Sequence, residues 1–242
     1  RGLSVALVEM APQVMPPLDP EMAVLLEERL RAQGVDLHLG DAVTGFAERS
    51  GERLAVSTRA GATLDADLVV LAVGVKPETA LAKSAGLALG PRGGIEVDER
   101  MRTSVPGIWA VGDAVEVRET VTGVEVVLPL AGPANRQGRI AAADICEREA
   151  RFRGVQGTSV VGCFGLIAAC TGANERTLDR LGQTDFERVY LHPGHHVGYY
   201  PGAKPIHMKL IFRPSDGRVL GAQAVGEEAV ARRIDVISTA IQ

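Results

Sequence analysis

The stretch TSVPGIWAVGD, residues 103–113, decides the fold class of this chain. Its centre, Ile108 to Val111, is an apolar run of strand length, with a Pro-Gly turn before it and Gly112-Asp113 after it. This pattern predicts a buried strand of a parallel sheet. Ligands bind beyond the carboxyl ends of such strands, so Gly112 and Asp113 are candidate binding residues. Gly112 lets a ligand approach the backbone and Asp113 can accept hydrogen bonds from a polyol, although a Gly-Asp pair alone also suits an ordinary turn.

Three motifs together resemble one family of flavoproteins. The threonine, apolar run and Gly-Asp of residues 103–113 resemble the second flavin-binding motif of the FAD-dependent pyridine nucleotide-disulfide oxidoreductases. LVVLAVGVKP, residues 68–77, resembles the segment that returns from the NAD domain of those enzymes to their FAD domain. YYPGA, residues 199–203, resembles their coenzyme A-disulfide reductase and NADH oxidase branch, in which a rhodanese domain is sometimes appended. The chain is therefore similar to the carboxy-terminal part of such an enzyme.

The resemblance implies an α/β fold class. Partial Rossmann-like dinucleotide-binding domains for NAD(P) and FAD should be followed by an α+β dimerisation domain. The expected boundaries are 1–68 for part of the NAD(P)-binding domain, 69–150 for the returning segment of the FAD-binding domain, and 151–242 for the dimerisation domain, truncated at its end. Residues 69–73 are predicted to form a buried strand, after which Gly74 permits a close approach of the cofactor.

Local patterns predict the other elements. Asp19 followed by proline indicates a helix start, and Gly34 should end that helix. Short strands with turns between them predict an inserted antiparallel ribbon after this βα unit. A second helix is expected from Ala131 through Ile145. Beyond residue 157, apolar runs and turns predict antiparallel strands with packing helices.

Glu9 is a candidate for nucleotide binding because it ends a short apolar strand. In dinucleotide-binding βαβ units an acid at this place binds the ribose hydroxyls, but its glycine loop would lie before Arg1. Without that loop Glu9 could also be a strand-end charge. The resemblance assigns it to NAD(P)H, and an acid that repels a 2′-phosphate favours NADH.

Pro129, Leu130 and Ala131 stand where the second helix begins. A helix N-terminus carries about half a positive charge and unpaired backbone N–H groups, both of which suit an anion. By resemblance, this terminus lies at the pyrimidine edge of the flavin. The alternative is a loop and helix start with no ligand.

Tyr199 is the catalytic candidate, within HPGHHVGYYPGAKP, residues 192–205. In the resembling branch, the first tyrosine of this pair reaches across the dimer interface toward the reactive cysteine and the substrate sulfur. A phenol can donate a hydrogen bond to a developing thiolate or act as a general acid. The alternative is an aromatic pair that packs at the interface, which we favour for Tyr200. The adjacent histidines lack further ligands at metal spacing, so no metal site is predicted.

Composition narrows the function classes. The chain is 46% hydrophobic and 23% charged, which is ordinary for a soluble globular protein. A net charge of −4 gives no reason to expect nucleic acid, and no apolar run is long enough to span a membrane. Three cysteines without CxxC spacing suggest buried, reduced thiols in a cytoplasmic protein.

The resemblance implies an oxidoreductase that passes electrons from NAD(P)H through FAD to a small-molecule disulfide such as coenzyme A disulfide. It also implies a homodimer. The redox cysteine and the first FAD motif would precede Arg1, so the chain is expected to be a fragment that is not complete alone. Two alternatives stay open: an NADH oxidase or peroxidase of the same fold, and a dimerisation module without catalysis.

Overall fold

The computed structural model describes residues 2–51 and 53–241. The chain divides into two compact units. One is made of two separate stretches, Arg1–Ala72 and Ser159–Gln242, and the other is Val73–Thr158. Within the described ranges no helix has both the length and the apolar character required to cross a membrane.

The first stretch begins with a βαβ arrangement, of which the sequence predicts the βα part. Strand β1 (Val5–Glu9) and strand β2 (Val35–Leu39) pair in parallel, and helix α1 (Pro20–Ala32) joins them. Proline at the first helical position fits because its missing N–H would have no acceptor there. Gly34 follows α1 with a φ of +79°, so the predicted helix end is confirmed.

An antiparallel ribbon follows, which confirms the second prediction for this stretch. It consists of β3 (Val43–Arg49), β4 (Arg53–Thr58) and β5 (Thr63–Ala66), in that order across the sheet. The register shifts between Val43 and Gly45, where β3 meets the end of β4.

The second unit contains two helices and a small mixed sheet. Its elements are α2 (Ala80–Ser84), β6 (Ile95–Glu96), β7 (Val115–Arg118), β8 (Glu125–Val127) and α3 (Ala131–Ile145). β6 pairs with β7 in parallel, and β7 pairs with β8 antiparallel. Val115, Val117 and Val155 form its small apolar cluster. Helix α3 has the bounds that the sequence predicts.

Two predicted buried strands are wrong. Residues 69–73 form no strand, and Val73 is 89% exposed. Ile108 to Val111 forms no continuous strand either; Trp109 makes a single bridge to Arg102, and Val111 is 41% exposed. An apolar run becomes a strand only when a neighbour accepts its backbone hydrogen bonds, and no described strand pairs with either run.

The second stretch of the first unit contains a five-stranded antiparallel sheet and two helices. Its elements are β9 (Ser159–Cys163), β10 (Leu166–Gly172), α4 (Glu175–Arg180), β11 (Glu187–Leu191), β12 (Ile206–Phe212), β13 (Val219–Gly226) and α5 (Val230–Ala240). The strand order is β11-β12-β13-β10-β9.

The two faces of this sheet bury different helices. Ala168 on β10 joins Met22 and Leu26 of α1 in one apolar cluster. The next residue, Ala169, joins Val230 and Ile234 of α5 in another. Successive strand residues point to opposite faces, so a single strand contributes to both clusters. The sheet is therefore sandwiched between helices from the two ends of the chain.

A buried ion network joins α1 to the sheet. The Lys209 ammonium of β12 is fully buried and donates hydrogen bonds to Asp19 at 2.7 Å and to Glu21 and Glu175. Gln223 of β13 also donates to the Asp19 carboxylate, at 2.6 Å. Burial by itself would lower the pKa of Lys209, but the hydrogen bonds to the three carboxylates outweigh burial and raise that pKa. Asp19 thus occupies the predicted N-cap position, but its side chain bonds to Lys209 and Gln223 and caps no amide group of α1.

We expect Lys209→Met to lower the free energy of unfolding by about 3 kcal/mol, the low end for removing one partner of a buried ion pair. The reason is that Asp19 keeps a buried charge with no counter-charge, while Glu21 and Glu175 remain partly open to water. Urea denaturation of the intact protein measures the change. Lys204→Met is the matched control: it removes a partly exposed ion pair and should cost much less. Equal losses for the two variants would contradict the assignment.

Candidate functional site

The Gly112-Asp113 turn is held to helix α3 by a hydrogen bond to a buried side chain. Gly112 has a φ of +88°, a conformation that favours glycine, and its backbone N–H donates to Gln137 Oε1 at 2.7 Å. The Gln137 side chain belongs to α3 and is only 2% exposed. The turn and the helix that the sequence predicts for the flavin are therefore fixed to each other within the second unit.

Asp113 and the start of α3 are both open to a ligand. Asp113 is exposed, and its carboxylate accepts no hydrogen bond within the part of the chain that the structure describes. Leu130 is the extended N-cap residue of α3 and supplies no side-chain cap, while Pro129 and Ala131 beside it are exposed. The first amide groups of a helix have no partner inside the helix. A free carboxylate and uncapped amide groups in one unit fit a ligand with hydroxyls at one place and an electron-rich edge at another, as FAD has.

A second buried contact fixes the other end of α3. The Asp144 carboxylate is 1% exposed and receives hydrogen bonds from Arg102 Nε at 2.6 Å, Arg102 Nη2 at 2.7 Å and Trp109 Nε1 at 2.9 Å. The paired Arg102 guanidinium, with help from Trp109 and Arg100, lowers the pKa of Asp144 from 3.8 to about 2. The segment that leads into Gly112 is thereby held against α3.

Sequence reasoning missed both polar anchors on α3. Gln137, Ala141 and Asp144 are the buried residues of this helix, at spacing i, i+4 and i+7. Polar side chains on the stripe that faces the core need buried partners. A polar residue at a helix position that the spacing assigns to the core was therefore the signal in the sequence.

Glu9 ends a strand, whereas Gly74 lies within an irregular stretch between β5 and α2. Glu9 is the last residue of β1, and its Oε1 accepts a hydrogen bond from the Ala11 N–H at 2.7 Å. One carboxylate oxygen therefore orders the turn after the strand. Gly74 has a φ of +94°, a conformation that favours glycine, and apart from its chain neighbours no described atom lies within 4 Å of the place that a Cβ would take.

Tyr199 projects from a loop that is closed at its base. The loop, residues 192–205, joins β11 to β12, and the Gly194–Pro205 bridge closes it. Tyr199 is 90% exposed. Tyr200 is 66% exposed and packs edge-to-face on His196, with ring centroids 5.6 Å apart. The first tyrosine is thus free to contact another molecule, whereas the second packs within its own loop.

Ion pairs anchor the same loop. Lys204 Nζ lies 3.0 Å from Glu227 Oε2, and Arg29 Nη2 of α1 lies 3.3 Å from Glu227 Oε1. On the other side of the loop, His195 Nε2 lies 3.3 Å from Glu228 Oε2. The hydrogen bond from Lys204, aided by Arg29, lowers the pKa of Glu227. Sequence reasoning did not identify these anchors because their partners are distant in the chain.

The cysteines and the acidic cluster offer no evident chemistry. Burial raises the pKa of the Cys170 and Cys163 thiols, so neither is an activated nucleophile. Cys146 is exposed and Cys163 is only partly buried, so the expectation of three buried thiols is correct for Cys170 alone. Asp19, Glu21 and Glu175 lie close enough together to hold a cation, but the Lys209 ammonium already bonds to all three.

Comparison with known families identifies the class of protein. Residues 1–149 match the model of the pyridine nucleotide-disulphide oxidoreductases, and residues 159–242 match the model of their dimerisation domain. The chain belongs to the pyridine nucleotide-disulphide oxidoreductase family. This membership confirms the resemblance and the fold class predicted from the sequence. The predicted cofactors, FAD and NAD(P)H, are those of the family.

Individual relatives are similar over nearly all of this chain. An NADH oxidase from Methanocaldococcus jannaschii is 38% identical over 247 residues, which cover 100% of this chain and 53% of the relative. The crystal structure of reduced Bacillus anthracis CoADR-RHD matches with a TM-score of 0.95 and 46% identity, over 99% of this chain and 42% of that one. A NAD-dependent persulfide reductase from A. fulgidus also gives a TM-score of 0.95, with 41% identity over 99% of this chain and 44% of its own. The chain spans about half the length of the curated relatives it matches.

The Asp144 contact predicts a specific response to acid. The folded-state pKa of Asp144 lies below the ordinary value. The contact therefore stabilises the folded state fully above pH 3.8, and this stabilisation is lost as the pH falls toward about 2. Asp144→Asn should therefore be less stable than the parent at pH 7, and the difference should shrink as the pH approaches 2.

Urea titrations followed by Trp109 fluorescence, repeated at several pH values, measure this difference. Glu125→Gln removes an exposed carboxylate from the same unit and serves as the control. A stability gap between Asp144→Asn and the parent that stays constant from pH 7 to pH 3 and below would show that the carboxylate is not held in its charged form.

Proposed function

We propose that this chain forms the cofactor-binding and dimerisation part of a flavoenzyme that passes electrons from NAD(P)H through FAD to a disulfide such as coenzyme A disulfide. The observation that supports it most is the Gly112-Asp113 turn, fixed to α3 while its carboxylate stays free. In this proposal residues 1–68 belong to an NAD(P)-binding domain, 69–150 to the FAD-binding domain and 151–242 to the dimerisation domain.

Each candidate residue has a role in holding a cofactor. Asp113 accepts hydrogen bonds from the ribityl hydroxyls of FAD, and Gly112 and Gly74 let the cofactor approach the backbone. Pro129, Leu130 and Ala131 lie against the flavin at the start of α3. Pro129 has no N–H and Leu130 donates to the Leu128 carbonyl, so Ala131 is the one of the three whose N–H faces the pyrimidine edge of the flavin. Glu9 accepts from the ribose of the pyridine nucleotide through its remaining oxygen. Bound FAD supplies the electron transfer, and the protein orients it.

The electron acceptor is proposed to be sulfur. The names of the Bacillus anthracis and A. fulgidus relatives support this, as CoADR and persulfide reductase. In a homodimer, Tyr199 would extend from its anchored loop into the site of the other subunit and donate its phenolic proton to the thiolate that leaves the disulfide. An exposed phenol on a closed, ion-paired loop suits that task, because the loop limits where the side chain can be.

Oxygen reduction is the second candidate. The NADH oxidase from M. jannaschii supports it by name and by 38% identity. The intact protein, supplied with NADH under air and then anaerobically with coenzyme A disulfide, separates the two: oxygen uptake indicates an oxidase and release of free thiol indicates a disulfide reductase. A stable dimer that takes up no FAD would instead indicate a dimerisation module.

Asp113→Ala should weaken FAD binding about tenfold, because hydrogen bonds to a charged acceptor are lost. The ratio of flavin absorbance to protein absorbance after gel filtration measures occupancy. Glu125→Ala, which removes an exposed carboxylate from the same unit, should leave occupancy unchanged. Equal flavin content in Asp113→Ala and the parent would reject the role of Asp113.

Tyr199→Phe should slow turnover of the disulfide at least about tenfold, because a general acid typically contributes more than that. Reduction of the flavin by NADH should be unaffected, since the phenol is proposed to act on sulfur alone. Stopped-flow flavin absorbance and steady-state thiol release measure the two steps. Tyr200→Phe, whose ring packs on His196, is the matched control. If Tyr199→Phe and Tyr200→Phe turn over the disulfide at the parent rate, Tyr199 has no catalytic role.

A further inference from the structure

The hydrogen bond from the Gly112 N–H decides which way the buried Gln137 amide faces. Its Oε1 lies 2.7 Å from the backbone nitrogen of Gly112, and that nitrogen can only donate. The oxygen of the amide must therefore face Gly112, and the NH₂ group must face away. Gln137 is 2% exposed, and this hydrogen bond is its only side-chain partner within the part of the chain that the structure describes.

The contact couples two parts of the proposed flavin site. Gly112 precedes Asp113, the acceptor for the ribityl chain, while Gln137 lies on the helix whose first residues face the flavin ring. Residues 112 and 137 are 25 positions apart, so local sequence does not hold them together. Gly112 is partly exposed, but the Gln137 oxygen is buried and costly to leave unpaired, so the hydrogen bond selects one orientation of the turn.

Helix α3 is a rigid base for this contact because it is fixed independently. Asp144, two turns further along the same buried stripe, is bonded to Arg102 and Trp109. The helix therefore stays in place when the Gln137 contact is removed, and the turn is the part that becomes free.

We propose that Gln137 is a positioning residue for FAD: it does not touch the cofactor but holds Asp113 at a fixed distance from the amide groups at the start of α3. This inference rests on the proposed function. A site ordered before binding does not spend binding energy on ordering the turn, so its affinity is higher. Gln137 thus raises FAD affinity through Gly112.

The test uses the intact protein stripped of flavin and titrated with FAD, with the flavin fluorescence and its visible circular dichroism as readouts. Gln137→Met fills the same space without an acceptor and should raise the Kd for FAD about tenfold. It should also alter the dichroism of the bound flavin. Gln137→Glu keeps an oxygen for the Gly112 N–H and should restore both toward the parent values. If Gln137→Met does not fold, Gln137→Asn, whose oxygen is one methylene short, should show the same loss.

Ala141→Gly is the matched control, because it loosens the same buried stripe of α3 without removing a contact to Gly112. It should lower the urea midpoint but leave the Kd for FAD unchanged. The inference is overturned if Gln137→Met, or Gln137→Asn in its place, binds FAD with the parent Kd and dichroism. It is also overturned if Ala141→Gly weakens FAD binding as much. A parent protein that takes up no FAD overturns the proposed function itself, which is a distinct result.

Discussion

The buried ammonium of Lys209 is the contact on which the first unit depends. It gathers carboxylates from the start of α1 and from the start of α4, residues that lie more than 150 positions apart. A single charge in this place enforces a register, because only one docking of α1 on the sheet brings Asp19, Glu21 and Glu175 to the same nitrogen. Apolar contacts such as Met22 on Ala168 supply attraction, but they are tolerant of small shifts. The ion network does not permit such shifts of α1 on the sheet.

The second unit uses polar anchors in the same manner. Gln137 and Asp144 replace apolar residues on the buried stripe of α3, and each receives hydrogen bonds from a different part of the chain. One helix therefore fixes both the turn at Gly112 and the segment at Arg102 and Trp109. These contacts set the geometry of the proposed flavin site, although neither Gln137 nor Asp144 needs to touch the cofactor.

The elements that depend on local sequence patterns were predicted correctly. Helices α1 and α3, the ribbon and the antiparallel sheet follow from the Asp-Pro helix start, from glycines and from the spacing of apolar residues, and the motif around Asp113 pointed to the family. The failures have a common cause. The apolar runs at 69–73 and 108–111 were assigned as strands from composition, but pairing depends on a neighbour that composition does not reveal. Lys209, Gln137 and Asp144 were missed for a similar reason, since each has partners that only the tertiary fold brings near.

The division of the first unit into two stretches affects how the chain folds. Met22 and Leu26 of α1 bury against Ala168 and Val225, which a ribosome adds only after the whole of residues 73–158 has been made. Until then the apolar stripe of α1 is exposed to solvent, and its acidic residues lack the Lys209 counter-charge. The second unit can gather its own contacts in the meantime, whereas the first must wait for loop closure over more than a hundred residues. Newly made chains are therefore vulnerable to aggregation and to chaperone capture at α1 during the interval before β10 and β13 appear.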